Sequence, residues 1–291
     1  MTWATPALDQ LGYAARVRSV LALALVSACG FSVPARDDAA GMPDTPPDVV
    51  PVTWTVDATS GKAVPANQFE WRDFLKAKGL TSIMTPNGLW LAQEASGPLA
   101  DSIGPVALAP IGATLYGLTV PGWSRKAVGT TDGSVASYSN MTDATLPNVG
   151  STSMTVLALI AFPGIAPANT RTFLVEGSGS LTAFAQANLD SSKHLMMTIS
   201  PTTTTGAQDP GTAATAVVMK LDHLHAEQKL FTRTETITLP NTALAGSRGL
   251  FLGGAVAPAP EARFLYVVAW YGARAEISDA DATALLTALD W

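Results

Sequence analysis

Glu94 and Asp101, two carboxylates in a stretch rich in turn formers, are the pair best placed by position for acid–base work on a glycosidic bond. Such hydrolysis needs paired carboxyl groups, about 5 to 5.5 Å apart for retention or about 6.5 to 9.5 Å apart for inversion. A second motif, Asp222-His223-Leu224-His225, sets two imidazoles two positions apart. On a strand they would point the same way and bind zinc readily. No third ligand is clustered with them, and they fall between the strand-like runs Val217 to Leu221 and Lys229 to Phe231, so a hairpin turn is the simpler reading. His194 stands alone in a Ser-Lys-rich turn, and Gly177-Ser178-Gly179-Ser180 is a flexible turn rather than the G-x-S-x-G elbow of a serine hydrolase. Aromatic rings offer a different chemistry, since sugars stack their apolar C–H faces on exposed rings. The ligand-contact candidates are Trp123, in Pro121-Gly122-Trp123, with Tyr116 and Tyr271 near predicted loops; Trp270 sits inside an apolar strand and is expected in the core.

The single cysteine, Cys29, closes the run Leu25-Val26-Ser27-Ala28-Cys29 after an apolar stretch, Val20 to Val26, that is preceded by Arg16 and Arg18. Basic residues, a short apolar run and small residues before the cut are what a secretory signal needs, and a cysteine directly after them resembles the lipobox of bacterial lipoproteins. The resemblance implies lipidation at Cys29 and a membrane anchor without a span. Each buried methylene contributes about 0.8 kcal/mol, so several acyl chains hold essentially permanently. The run is shorter than the roughly 20 apolar residues of a spanning helix, and its competing reading is a buried helix with one inert cysteine. Residues 1–15 lack basic character and contain Asp9, which fits a true start at Val17. Gly30, rather than Asp, after the cysteine resembles lipoproteins sent on to an outer membrane where one exists.

Loss of residues 1–28 removes two arginines and one aspartate, which takes the formal charge from −6 to −7. A mildly acidic chain gives no electrostatic footing on phosphate backbones, so nucleic acid is not the expected partner. Acidic substrates are disfavoured as a class as well, unless a local basic patch overrides the sum. With Cys29 lipidated no disulfide remains, and 47% hydrophobic residues against 14% charged ones must supply a core that stands alone.

The elements that must position these residues follow from the patterning. Gly30 to about Pro65 is rich in Pro, Asp and Ala and reads as a tether, with Trp54 and Val56 marking a short extended piece that docks on the domain. Asn67 to Gly79 carries both ends of a short helix: Asn67 as N-cap, Glu70 three residues on, and Gly79 at the C′ position. Its apolar face, Trp71, Phe74 and Leu75, is expected to pack on the domain. Short strand-like runs then recur between turn residues: Gly88 to Gln93, Ala113 to Leu118, Thr155 to Phe162, Arg171 to Val175, Leu195 to Ile199, Ala216 to Leu221, Lys229 to Leu239, Gly249 to Leu252 and Arg263 to Tyr271. Many short strands with regular turns indicate an all-β sandwich. Helical spacing returns only at the end, where Ser278 and Asp281 start a helix bearing Ala282, Leu285, Leu286 and Leu289 on one face.

The order of these pieces resembles the laminin-G-like (LamG-like), concanavalin A-like jelly-roll family. The likeness spans about Pro86 to Leu289. It rests on Leu89-Trp90-Leu91 with the Glu94-to-Gly97 and Asp101-to-Gly104 turns, on Lys126-Ala127-Val128 with Asp132-Gly133-Ser134, on Met154 to Ile160, and on Tyr266 to Ser278. One piece departs: the late hairpin, often ending Y-x-D-G in the family, here reads Lys229-Leu230-Phe231-Thr232-Arg233, so that turn is rebuilt. The resemblance implies a jelly-roll β-sandwich with short N-terminal and C-terminal helices, and places Glu94 and Asp101 in structural turns. The E-x-D-x-x-E strand of one hydrolase branch is absent. Family members often hold calcium through loop acids, which makes Asp101, Asp132 and Asp143 the metal candidates, against the reading that each caps its own turn.

The expected organisation is a signal peptide over 1–28, lipidated Cys29 with a tether over 29–65, and the jelly-roll domain over 66–291. The expected function is that of a non-catalytic binding module held at the cell envelope, with carbohydrate or a surface protein as partner and calcium as the one cofactor the loops allow. A polysaccharide hydrolase and a purely structural envelope protein are the alternatives.

Overall fold

The computed structural model describes residues 54–140, 153–177, 184–199, 202–222, 227–239, 249–254 and 258–291. Cys29, Asp143, His223 and His225 lie outside the described residues. After helix α1 (Gln68–Ala77) come β1 (Gly88–Trp90), β2 (Ala109–Gly112), β3 (Thr114–Leu118), β4 (Ala127–Thr130) and β5 (Ala136–Ser139). The middle of the chain gives β6 (Met154–Ala161), β7 (Arg171–Gly177), β8 (Phe184–Leu189), β9 (Leu195–Ile199) and β10 (Thr202–Thr205). The last strands are β11 (Ala214–Asp222), β12 (Glu227–Phe231), β13 (Thr236–Leu239), β14 (Leu250–Gly253) and β15 (Ala262–Tyr271), followed by helix α2 (Asp279–Leu289).

The strands form two antiparallel sheets. One runs β13-β12-β11-β6-β15-β4-β3, with β1 also on β15; the other runs β10-β9-β8-β7-β14-β5-β2. This is the all-β sandwich with short terminal helices that the patterning implies. The layers explain why the central strands are apolar throughout. In β6, Met154, Val156, Ala158 and Ile160 face the core between the sheets, while Leu157, Leu159 and Ala161 face outward into a second core. That second core is closed by α1 through Trp71, Phe74 and Leu75, and by α2 through Ala282, Leu285, Leu286 and Leu289. β15 switches parity at a bulge by Leu265: Ala262 and Phe264 face the inter-sheet core before it, Val267 and Ala269 after it. The extra residue lets one strand serve both cores across its whole length.

Local signals set the helix ends. Asn67 Oδ1 accepts the Phe69 and Glu70 N–H groups at 3.0 Å each, and Asn67 Nδ2 donates to Glu70 Oε1 at 2.8 Å. Gly79 takes φ +71°, a left-handed conformation that other residues adopt at a cost. Ser278 Oγ caps α2 by accepting the Asp281 N–H at 3.0 Å. Among the described residues no helix is long and apolar enough to cross a membrane.

The extended piece expected at Trp54 and Val56 is present: Val56 bridges Ala63, and the Trp54 ring meets Phe74 edge-on at 5.3 Å. Three readings need correction. The run Lys229 to Leu239 is two strands, because Thr232 Oγ1 accepts the Thr234 and Glu235 N–H groups at 3.2 and 3.0 Å and breaks the run with a turn. The first run ends at Trp90 rather than Gln93, since Ala92 takes φ +55°. Strands β2, β5, β8 and β10 lie where no apolar run marks them; β2 carries Pro110 and Gly112, and β10 is Thr202–Thr205 on a sheet edge.

Candidate functional site: a polar recess at the β12–β13 turn

The turn between β12 and β13 borders a recess in the surface of the sandwich. Thr232, Arg233, Thr234 and Glu235 form the turn between β12 and β13, with Thr232 N–H donating to the Glu235 carbonyl at 2.9 Å. Opposite stands the loop that joins β10 to β11, with Gln208, Asp209 and Pro210. Together with Leu195 and Thr215 they line a recess of about 490 Å³. Hydroxyl, amide, carboxylate and guanidinium groups all line it, and among the described residues no aromatic ring does.

Its carboxylates are fixed from behind. Glu235 Oε2 accepts the Ala207 N–H at 2.8 Å, while Glu235 Oε1 is buried and has no hydrogen-bond partner. Gly206 permits the approach, because a Cβ there would press into the Glu235 carboxylate. Asp209 Oδ1 accepts the Gly211 N–H at 2.7 Å and holds its own loop. Arg233 Nη1 donates to Asp290 Oδ1 at 2.6 Å, and Lys62 pairs with the other oxygen of Asp290. Those two cations, Lys62 first, hold the Asp290 carboxyl below the usual carboxylate range.

The residues that sequence reasoning singled out lie elsewhere. Tyr116 is half-buried against the inter-sheet core, edge-on to Tyr138 at 5.6 Å, and its hydroxyl donates to the Gly97 carbonyl at 2.7 Å. Tyr271 packs on the same core and donates to the Asn87 carbonyl at 3.2 Å. Trp123 packs instead on the helix-covered core, on the other side of its sheet. These three rings do not make one stacking platform. Trp270 is fully buried, as expected, with its Nε1 donating to the Met84 carbonyl at 2.7 Å.

The acids are found in turns. Asp101 Oδ1 accepts the N–H groups of Leu89, Ile103 and Gly104 at 2.9 to 3.0 Å, and Glu94 Oε1 accepts the Ala100 N–H at 2.8 Å. Asp132 pairs with Arg171 at 3.2 Å. Among the described residues no three His, Cys, Asp or Glu side chains gather as a metal site, so the calcium expectation finds no assembled ligand set at Asp101 and Asp132. Strands β11 and β12 pair antiparallel as far as Asp222 and Glu227, and His223 and His225 lie outside the described residues. His194 lies in a turn, its N–H donating to Asp190 Oδ1 at 2.7 Å. Sequence reasoning missed Asp209 and Glu235, which come together only through the meeting of two loops far apart in the chain.

No family model and no curated protein sequence matches the chain. Solved structures do. Trypanosoma rangeli sialidase aligns over 70% of this chain and 32% of its own, at 11% identity and a TM-score of 0.52. The same sialidase in complex with sialic acid aligns over 70% and 33% at 11% identity and 0.51. A mutant of it displaying trans-sialidase activity aligns over 76% and 38%, again at 11% and 0.51. The likeness is one of fold. The chain spans about a third of the length of these sialidases.

Proposed function

We propose that the protein is a lipid-anchored, extracytoplasmic LamG-like module that binds carbohydrate through the recess at Thr232 to Glu235. The observation that carries the ligand class is the lining: a 490 Å³ recess whose walls include threonine hydroxyls, an amide and two carboxylates. A hydroxyl-rich ligand supplies the matching donors and acceptors at many points. The solved neighbours include a sialidase in complex with sialic acid, which agrees with a sugar as ligand but argues only for the fold. Anchoring rests on Cys29 and the residues before it, with the outer membrane as the expected site where one exists.

The test is binding of the protein to a glycan array with and without a calcium chelator, repeated with Glu235→Gln. Glycan binding that weakens in the variant supports the reading; binding that vanishes with the chelator would add calcium, and no binding in either condition would leave an envelope-structural role. Cys29→Ala should move the protein from the membrane to the soluble fraction.

A second reading, hydrolysis, has one observation in its favour: Asp209 and Glu235 line the same recess. Each has an oxygen engaged by a backbone N–H, Asp209 within its own loop and Glu235 from the facing loop, an arrangement that fits support of the recess walls. Release of reducing sugar from polysaccharide by the wild type, lost in Glu235→Gln, would replace binding with catalysis.

A further inference from the structure

A second recess, remote in sequence from the first, surrounds Arg125. About 350 Å³ in volume, it is lined half by apolar side chains, among them Val56, Val64 and Leu91, and half by polar ones, among them Asp57, Gln93 and Arg125. Arg125 is only 9% exposed. Its guanidinium lies over the Tyr266 ring at 5.3 Å, a contact that uses the flat face and leaves the in-plane N–H groups free. Of those groups, Nε and Nη1 are buried and have no partner among the described residues, and Nη2 makes only a long bond of 3.4 Å to the Leu91 carbonyl.

The acid beside Arg125 does not fill this gap. Asp57 Oδ1 accepts the N–H groups of Thr59, Ser60 and Ser124 at 3.1, 2.9 and 3.1 Å. Asp57 Oδ2 accepts from Ser124 Oγ at 2.6 Å, from the Ser124 N–H at 3.1 Å and from the Arg125 backbone N–H at 3.0 Å. Every acceptor of Asp57 is thus engaged by groups other than the guanidinium. Burial pulls Arg125 below the usual guanidinium value, with Tyr266 and Asp57 opposing it, but an arginine stays protonated in proteins. A buried cation with three donor nitrogens and one long bond is an unusual arrangement that a bound anion would complete.

We propose that this recess binds a single carboxylate group carried on a small ring or short aliphatic body. The two-pronged guanidinium matches the two oxygens of a carboxylate. The nearby Asp57 charge disfavours a dianion such as phosphate, and the apolar walls receive the body to which the carboxylate is attached. This site is independent of the recess at Thr232 to Glu235, and its test does not depend on glycan binding there.

The experiment titrates the full chain with sodium glucuronate, sodium acetate, glucose and inorganic phosphate, followed by amide chemical shifts and by melting temperature. Glucuronate and acetate should shift the amides of Ser124 and Arg125 saturably and raise the melting temperature with concentration, while glucose should leave those two amides unmoved. Arg125→Lys keeps the charge but loses the fork and should weaken glucuronate at least about tenfold. Val56→Trp, at an exposed wall position, should do the same by filling the mouth without touching the arginine, and serves if Arg125→Lys fails to fold. Glu235→Gln should leave carboxylate binding unchanged. Equal responses to glucose and glucuronate, tighter binding of phosphate than of either carboxylate, no saturable shift with any probe, or an unchanged response in Val56→Trp would each overturn the assignment.

Discussion

The recess at the Thr232–Glu235 turn is ringed by groups that already hold one another, Arg233 on Asp290 and Glu235 on the Ala207 N–H, whereas the recess at Arg125 is smaller, half apolar in its lining, and includes a cation whose Nε and Nη1 have no acceptor among the described residues. The first offers many modest hydrogen-bonding groups spread over about 490 Å³, which suits a ligand with many hydroxyls. The second offers one strong group that is itself almost wholly buried, which suits a ligand with one charge. The contrast shows how little the net charge of −6 says about what a given site accepts. Sheltering matters more, because a charge withdrawn from water interacts far more strongly with what reaches it.

The largest effect is expected where the Arg125 recess is held together. Asp57→Ala leaves the N–H groups of Thr59, Ser60, Ser124 and Arg125 without their acceptor and should cost about 3 kcal/mol in urea unfolding. Glycan binding at the other recess should survive under native conditions, and its loss along with stability would mean that the two recesses are not separate. The same carboxyl sets a pH dependence. Burial alone would raise Asp57, but the hydrogen bonds from Ser124 Oγ and from the Ser60, Ser124 and Arg125 N–H groups hold it well below the usual carboxylate range. Its contribution is therefore complete above the unfolded value of about 3.9 and disappears as pH falls below it. Unfolding midpoints should stay level from neutral pH to about 5 and drop below about 4, and the drop should be shallower in Asp57→Ala.

Next in size is Tyr266→Phe, which removes the acceptor of Trp71 Nε1 at 2.8 Å and the donor to the Pro65 carbonyl beneath the Arg125 guanidinium. A loss of roughly 1 to 3 kcal/mol is expected, with the cation–ring contact kept. At the other recess Glu235→Gln should weaken glycan binding about tenfold, near 1.4 kcal/mol, with little change in melting temperature. The smallest effect is expected for Arg233→Ala. Its pair with Asp290 is solvent-exposed, so stability should be unchanged within error, and only glycan affinity should respond.

What was legible in the sequence was local. Asn67, Glu70 and Gly79 announce α1 because caps act within one turn, and Ser278 with Asp281 does the same for α2. β6 and β15 were legible because strands covered on both faces are apolar throughout. Edge strands were not: Thr202–Thr205 has one face toward solvent and needs no apolar run. The sites were the least legible part. Nothing near Arg125 in sequence shows that its partner-seeking nitrogens are buried, since that follows from Tyr266 beneath it and from Asp57, 68 residues earlier, binding its backbone rather than its side chain. Trp123 drew attention as a ring in a polar loop, yet packing against the helix-covered core takes up part of it.

The lacing of residues 54–66 onto the sandwich bears on mechanics. Pro65 is gripped by the Tyr266 hydroxyl, Asp57 is held by the Ser124–Arg125 loop, and Ala63 receives Trp291 Nε1 at 2.7 Å. Tyr266 belongs to β15, which is flanked by β6 on one side and by β4 and β1 on the other. Tension applied from the amino-terminal side therefore enters at an interior strand rather than at a free edge. Peeling strands off one by one is the weak direction for a sheet, and this route of loading avoids it, so the sandwich should hold its shape while it is tugged.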